Sequence, residues 1–71
     1  MADLCRTFGS NVRKLRRARE ISQEELADRA KIDRSYLTGL EGKDGRNPTL
    51  KVVERIAGAL GVSAASLMEK P

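Results

Sequence analysis

The side chains in this chain that could do chemistry are arginines, lysines and carboxylates. Of its 71 residues, 14 are Lys or Arg, 10 are Asp or Glu and none is His. Cys5 is the single cysteine, so neither an internal disulfide nor a zinc site built from His and Cys can form. The commonest general base in enzymes is also missing. We therefore expect no enzyme, no catalytic residue, no metal and no cofactor.

The distribution of charge favours nucleic acid as a partner. The formal net charge is +4 and the isoelectric point is near 9.7. Residues 6–19 contain only basic charges, residues 20–33 are mainly acidic, and residues 34–51 are mainly basic again. A solvated helix surface is the simplest explanation of any such run. DNA binding becomes the better one if folding brings the two basic segments together.

The hydrophobic pattern predicts one all-α domain, a compact five-helix bundle over residues 1–71. Apolar residues recur three and four positions apart, for example Leu4, Phe8, Val12, Leu15 and Ala18 in the first helix. No apolar run approaches the roughly 18 residues of a membrane span, and no signal peptide is evident. We therefore expect a cytoplasmic protein.

Capping residues predict where the later helices begin. Ser22 and Glu25 form a capping box at the start of the second helix. The expected caps of the next three helices are Asp33, Thr49 and Ser63, in that order. The third helix would end near Glu41, before a turn-rich loop over residues 42–48, and Gly61 would end the fourth.

Residues 22–42 match the helix-turn-helix pattern. Three or four residues around Ile32 join the second and third helices, so these must cross steeply. Counted from Gln23, apolar residues stand at positions 4, 8, 10, 15 and 18, and the small Ala27 at position 5 lets the helices approach. Lys31 stands at position 9, where the chain turns left-handed and glycine is common.

Several motifs in this register resemble the Cro/C1-type (Xre-like) helix-turn-helix family. They are Ser22-Gln23-Glu24-Glu25-Leu26-Ala27, Tyr36-Leu37-Thr38-Gly39-Leu40-Glu41-Gly42, Arg46-Asn47-Pro48-Thr49-Leu50 and Ala59-Leu60-Gly61-Val62-Ser63. Residues 33–39 most resemble the controller proteins of restriction–modification systems. The resemblance implies a lambda-repressor-like fold and a homodimer that binds an inverted-repeat operator. It also implies repression, and activation, of restriction–modification genes including its own.

Three other functions remain open. A phage-type repressor has the same domain, and an antitoxin-like protein combines such a domain with a protein partner. A non-specific binder would use the basic surface without reading bases.

The exposed start of the third helix is expected to enter the major groove and read bases. The candidates are Arg34, Ser35 and Thr38. Arg34 suits a bidentate contact to guanine, and Thr38 can offer its methyl group to thymine. A surface arginine without a partner is the alternative for Arg34.

Other residues are expected to contact phosphates and to position the protein. They are Gln23, Tyr36, Lys43, Arg46 and Asn47. For Gln23 the family resemblance adds to this expectation, and for Tyr36 the contact is what the resemblance to controller proteins implies. Packing against the core is an equal alternative for Tyr36.

The resemblance also implies two contacts away from the bases. Arg16 would pair with Glu41 at the end of the recognition helix and orient it. Glu24 and Asp28 would touch the sigma subunit of RNA polymerase, as in lambdoid activators; a solvated helix face is the alternative.

Residues 50–71 are the expected dimerisation region, because they carry more apolar side chains than one small core needs. The candidates for the interface are Val52, Ala59, Ala65 and Met68. One recognition helix reads only a few base pairs, so specificity requires a two-fold dimer. For Met68, filling the core is the alternative.

Overall fold

The computed structural model describes residues 4–42 and 47–70, and all regular structure in these residues is helical. The helices are α1 (Leu4–Ala18), α2 (Gln23–Ala30), α3 (Arg34–Glu41) and α4 (Leu50–Leu60), followed by a short 3-10 helix (Ala65–Met68). None of these described helices is long and apolar enough to cross a membrane. The predicted all-α, helix-turn-helix architecture is confirmed.

The prediction of five α-helices is wrong, because the last element is a single 3-10 turn. The backbone N–H of Ser66 donates to the Ser63 hydroxyl at 3.1 Å, and the Ser66 hydroxyl donates to the Ser63 carbonyl at 2.7 Å. Serine side chains that bond to nearby backbone groups compete with helix formation. These bonds favour the tight turn over further helix.

The caps at the starts of α2 and α4 are confirmed. The Ser22 hydroxyl accepts from the Glu25 backbone N–H at 3.0 Å, and the Thr49 hydroxyl accepts from the Val52 N–H at 3.1 Å. Asp33 lies at the N-cap position of α3 but makes no capping bond. Its carboxylate instead accepts a hydrogen bond of 2.8 Å from the hydroxyl of Ser35, two residues further along the chain.

The turn between α2 and α3 has the left-handed geometry expected at Lys31. Lys31 has φ 58°, and the α2 C-cap is closed by backbone bonds to the Ala27 and Asp28 carbonyls. A residue with a Cβ costs roughly 1–2 kcal/mol in this conformation. Glu20, between α1 and α2, has the same conformation with φ 55°. The turns at Lys31 and Glu20 are therefore held at the expense of local strain.

The core lies where the four helices meet. Seven large side chains are almost completely buried: Phe8, Val12, Leu26, Leu37, Leu40, Ile56 and Leu60. The apolar stripe of α1 extends past this core at both ends, since Leu4 is 57% exposed and Ala18 is exposed. Leu50 at the start of α4 is 82% exposed. The periodicity of the apolar residues therefore identifies the inner face of each helix, but it does not show at which residue that face leaves the core.

α1 and α3 approach each other very closely at Gly9. A Cβ built on Gly9 would lie 1.9 Å from the Leu40 carbonyl oxygen, which is far inside any van der Waals contact. Only glycine lets the two helices cross at this distance. Gly9 therefore sets the position of α3 relative to α1.

Candidate nucleic-acid interface

The predicted base-reading residues lie together on the exposed side of α3. Arg34, Ser35 and Thr38 are exposed, whereas Leu37 and Leu40 are buried. The Thr38 hydroxyl lies 3.0 Å from the Arg34 carbonyl, and the Ser35 hydroxyl is held by Asp33. Arg34 forms no ion pair with any described residue. Its guanidinium at the first position of α3 is available for a bidentate contact.

The structure brings Arg16 and Glu41 into a buried, bidentate ion pair. Arg16 Nε donates to Glu41 Oε2 at 3.0 Å and Arg16 Nη2 donates to Glu41 Oε1 at 2.9 Å. Their side chains are only 11% and 2% exposed. Arg16 Nη1 also donates to the Ile21 carbonyl at 2.7 Å. One guanidinium therefore ties the end of α3 to α1 and to the turn before α2.

Gln23 extends this pair to the face of α3. Its Nε2 donates to Glu41 Oε1 at 3.1 Å, and its Oε1 accepts the Thr38 hydroxyl at 2.9 Å. Both ends of the amide are therefore used inside the protein. The phosphate contact expected of Gln23 would come from its backbone N–H, which has no partner within the helix at this first position of α2.

Of the four remaining phosphate candidates, the structure describes Tyr36 and Asn47. Tyr36 is half-buried and packs against the core, which was the alternative interpretation of this residue. Asn47 is exposed just before α4, and its Oδ1 accepts a long bond from the Cys5 thiol at 3.6 Å. Lys43 and Arg46 lie outside the described residues.

The acidic candidates lie on the outer face of α2. Glu24 and Asp28 are both exposed, and they line a shallow groove with Ser22, Asp33 and Arg34. The neighbouring Glu25 instead pairs with Arg29 one turn later. The described residues contain no group of His, Cys, Asp or Glu side chains that could hold a metal ion.

The dimer candidates differ in exposure. Val52, Ala59 and Met68 are half-buried against the core and Ala65 is exposed. An apolar groove of 140 Å³ opens beside Met68, and the exposed Leu4 and Leu50 line it. Neither leucine was expected at the surface, because both continue the apolar stripes of their helices.

Asn11 is a structural residue that the sequence analysis did not identify. Its Nδ2 donates to the Leu67 carbonyl at 2.8 Å and to the Glu69 carbonyl at 2.7 Å. These bonds fix the C-terminal 3-10 turn, and with it Met68, against α1. A polar residue next to the apolar stripe was the available signal, but its partners lie more than 50 residues away in the chain.

Comparisons with known proteins agree with this geometry. A family described as helix-turn-helix matches residues 12–67. The immunity repressor protein of Bacillus phage phi105 is 37% identical over 62 residues, which cover 87% of this chain but only 42% of the repressor. The chain thus spans less than half the length of that relative.

Two solved structures of controller proteins are also similar. The restriction–modification controller protein C.AhdI from Aeromonas hydrophila has a TM-score of 0.82 and 38% identity, over 89% of this chain and 94% of the controller. C.Esp1396I, bound to a 25 base pair operator site, has a TM-score of 0.82 and 31% identity, over 94% of this chain and 87% of that one.

Proposed function

Because the chain belongs to the helix-turn-helix family, we propose that it is a sequence-specific, DNA-binding regulator of transcription and not an enzyme. The observation that carries the proposal is the exposed face formed by Arg34, Ser35 and Thr38 on a helix whose far end is fixed by a buried ion pair. A recognition helix must be held rigidly for its side chains to discriminate bases.

Each residue of this face has a distinct role. Arg34 donates two hydrogen bonds to guanine O6 and N7, a contact worth about 1–3 kcal/mol of discrimination. Thr38 presents its methyl group to thymine, because its hydroxyl is already donated within the protein. Ser35 must leave Asp33 or accept a bond from a base in order to read sequence.

The contacts that position the protein come from the elements around α3. The α2 N-terminus binds one phosphate through backbone N–H groups, and Asn47 binds another. Lys43 and Arg46, which stand between α3 and α4 in the sequence, supply further phosphate contacts, and the Tyr36 hydroxyl reaches the DNA backbone from the edge of the core. The sequence-independent part of the affinity comes from these contacts.

The regulated genes are those of a restriction–modification system, including the gene of the regulator itself. The similarity to two controller proteins, one of them bound to an operator site, supports this assignment. The phage immunity repressor among the relatives supports the alternative, a phage-type repressor. The protein acts in the cytoplasm.

Two further partners complete the proposal. A second copy of the chain supplies the other recognition helix, through the apolar groove beside Leu4, Leu50 and Met68 together with Val52, Ala59 and Ala65. Glu24 and Asp28 then point outward from α2 toward a basic surface of the sigma subunit of RNA polymerase, which gives activation. Their exposure supports this contact.

Selection of bound sequences from a random duplex pool tests this function. We expect the retained duplexes to share an inverted repeat whose half-site centres are about 10 base pairs apart, the spacing that a two-fold dimer requires. Retention of duplexes with no common motif would contradict the proposal.

A further inference from the structure

The structure separates the six basic residues between positions 6 and 19 into two groups. Arg16 is buried against Glu41, and Arg19 Nη1 donates to the Leu60 carbonyl, so both have structural roles. The other four are exposed and line a single groove: Arg6, Arg13, Lys14 and Arg17. We call this the basic groove.

The basic groove lies between α1 and the end of the recognition helix. Its volume is 630 Å³, and Ser10, Glu41 and Gly42 complete its lining. The Glu41 carboxylate is already neutralised by Arg16, so it offsets little of the charge from the four basic residues. None of the four forms an ion pair with a described residue. A concave surface of one sign attracts the opposite charge strongly.

We propose that the basic groove binds phosphates of the same DNA whose bases α3 reads, with Arg13 and Arg17 as the principal contacts. This inference rests on the proposed function. Arg6 and Lys14 add further positive charge to the same groove. The groove thereby extends the protein–DNA interface from α3 and the α2 N-terminus onto the outer face of α1.

Continuity with the recognition helix favours DNA as the occupant over an acidic protein. Glu41 and Gly42 belong both to the C-terminal end of α3 and to the wall of the groove. A strand that passes the end of α3 therefore passes the groove without a break. Apart from Gly42, every residue that lines the groove is charged or carries a hydroxyl group, as residues that contact phosphates do.

The dimensions of the groove also suit a phosphate backbone. Eleven residues separate Arg6 from Arg17, which is about 16 Å along a helix. One DNA strand carries a charge about every 3.4 Å of helix axis, so the groove can follow several nucleotides. Arg13 and Arg17 are one turn apart on the same side of α1. Guanidinium groups bind phosphate oxygens through two parallel hydrogen bonds.

The test measures how DNA affinity depends on salt in the Arg13→Gln/Arg17→Gln variant. The matched control, Arg29→Gln/Arg55→Gln, removes the same two charges from α2 and α4. Fluorescence anisotropy gives the Kd of each protein for a selected duplex and for a scrambled duplex between 50 and 200 mM salt. Circular dichroism and thermal melting check that both variants are folded. We expect that they are, since all four substituted side chains are exposed.

We expect the slope of log K against log salt to become shallower by about 3.6 in the groove variant, the value for two lost phosphate contacts in each protomer of the proposed dimer. Its Kd would then rise about 150-fold less than that of the wild type across this salt range. The loss should be equal on both duplexes, and the control should keep the wild-type slope.

A groove variant with the slope and Kd of the control overturns the inference. The failure of the proposed function looks different. In that case the wild type itself fails to distinguish the selected duplex from the scrambled one, whatever the groove variant does.

Discussion

Glu41 is the residue at which three elements of the interface meet. It accepts hydrogen bonds from Arg16 on α1 and from Gln23 on α2, and it is itself the last residue of α3. A buried ion pair contributes little net stability, because removing both charges from water costs as much as their attraction returns. The role that suits this pair is to define the orientation of α3.

Removal of one partner of this pair should be far more harmful than removal of both. Arg16→Met leaves the Glu41 carboxylate buried and unpaired, and should lower the free energy of unfolding by about 3–5 kcal/mol. The double variant Arg16→Met/Glu41→Leu should recover most of that loss yet bind operator DNA at least tenfold more weakly. Urea denaturation and anisotropy measure the two quantities.

The exposed Glu25–Arg29 pair provides the control for these variants. Both side chains are about half exposed, so Arg29→Gln should cost no more than about 0.5 kcal/mol. Wild-type operator affinity in the Arg16→Met/Glu41→Leu variant would show that the buried pair does not orient α3.

At the scale of the elements, local signals predicted the helices well. The starts of α2 and α4 follow from Ser22 and Thr49, because a side-chain cap depends only on residues within one turn. The left-handed turn at Lys31 followed from the motif frame. The last helix could not be predicted correctly. Ser63 suggests a cap, but its hydrogen bonds with Ser66 hold a 3-10 turn instead of an α-helix.

Local sequence signals could not predict the contacts between helices. The Gln23 bonds to Thr38 and Glu41, and the Asn11 bonds to the C-terminal turn, join residues 15 to 58 positions apart. For the candidate site, the sequence predicted which side chains lie on the exposed face of α3. It did not predict which of them, such as Ser35 and Thr38, already form hydrogen bonds within the protein.

The α1–α3 crossing makes a prediction of its own. Gly9→Ala places a methyl group against the Leu40 carbonyl, where there is no space, and should lower the free energy of unfolding by about 2 kcal/mol or more, as overpacking does. The matched control is Gly58→Ala on α4, whose new methyl group meets no atom within 4 Å. That change should stabilise the fold by about 0.5–1 kcal/mol. Equal stability of the two variants in thermal denaturation would refute this account of the crossing.

At the scale of the whole molecule, the surface has two distinct regions. The basic groove and the face of α3 carry unpaired positive charge, whereas the groove beside Leu4, Leu50 and Met68 is apolar. The proposed dimer covers the apolar region and leaves the charged one for DNA.

Leu50 tests the dimer directly, because it is 82% exposed and contributes little to the core. Leu50→Asp and Leu50→Lys should change the free energy of unfolding of the monomer by less than about 0.5 kcal/mol. Both should raise the dimer dissociation constant at least tenfold in sedimentation equilibrium, whatever the sign of the new charge. Leu50→Met, which conserves volume and polarity, should leave it unchanged. Unaltered dimerisation in the charged variants would place the interface elsewhere.

The most direct test of sequence reading compares wild type, Arg34→Ala and Arg34→Lys on the selected operator and on duplexes with single base changes. Loss of one bidentate guanine contact in each protomer should reduce discrimination at that base pair of each half-site by about 1–3 kcal/mol, or roughly 5- to 150-fold, and leave the other base pairs as they were. Arg34→Lys keeps the charge but not the two parallel bonds, so it should not restore discrimination. If Arg34→Ala weakens binding equally to every duplex, Arg34 contacts only the backbone and the central claim is contradicted.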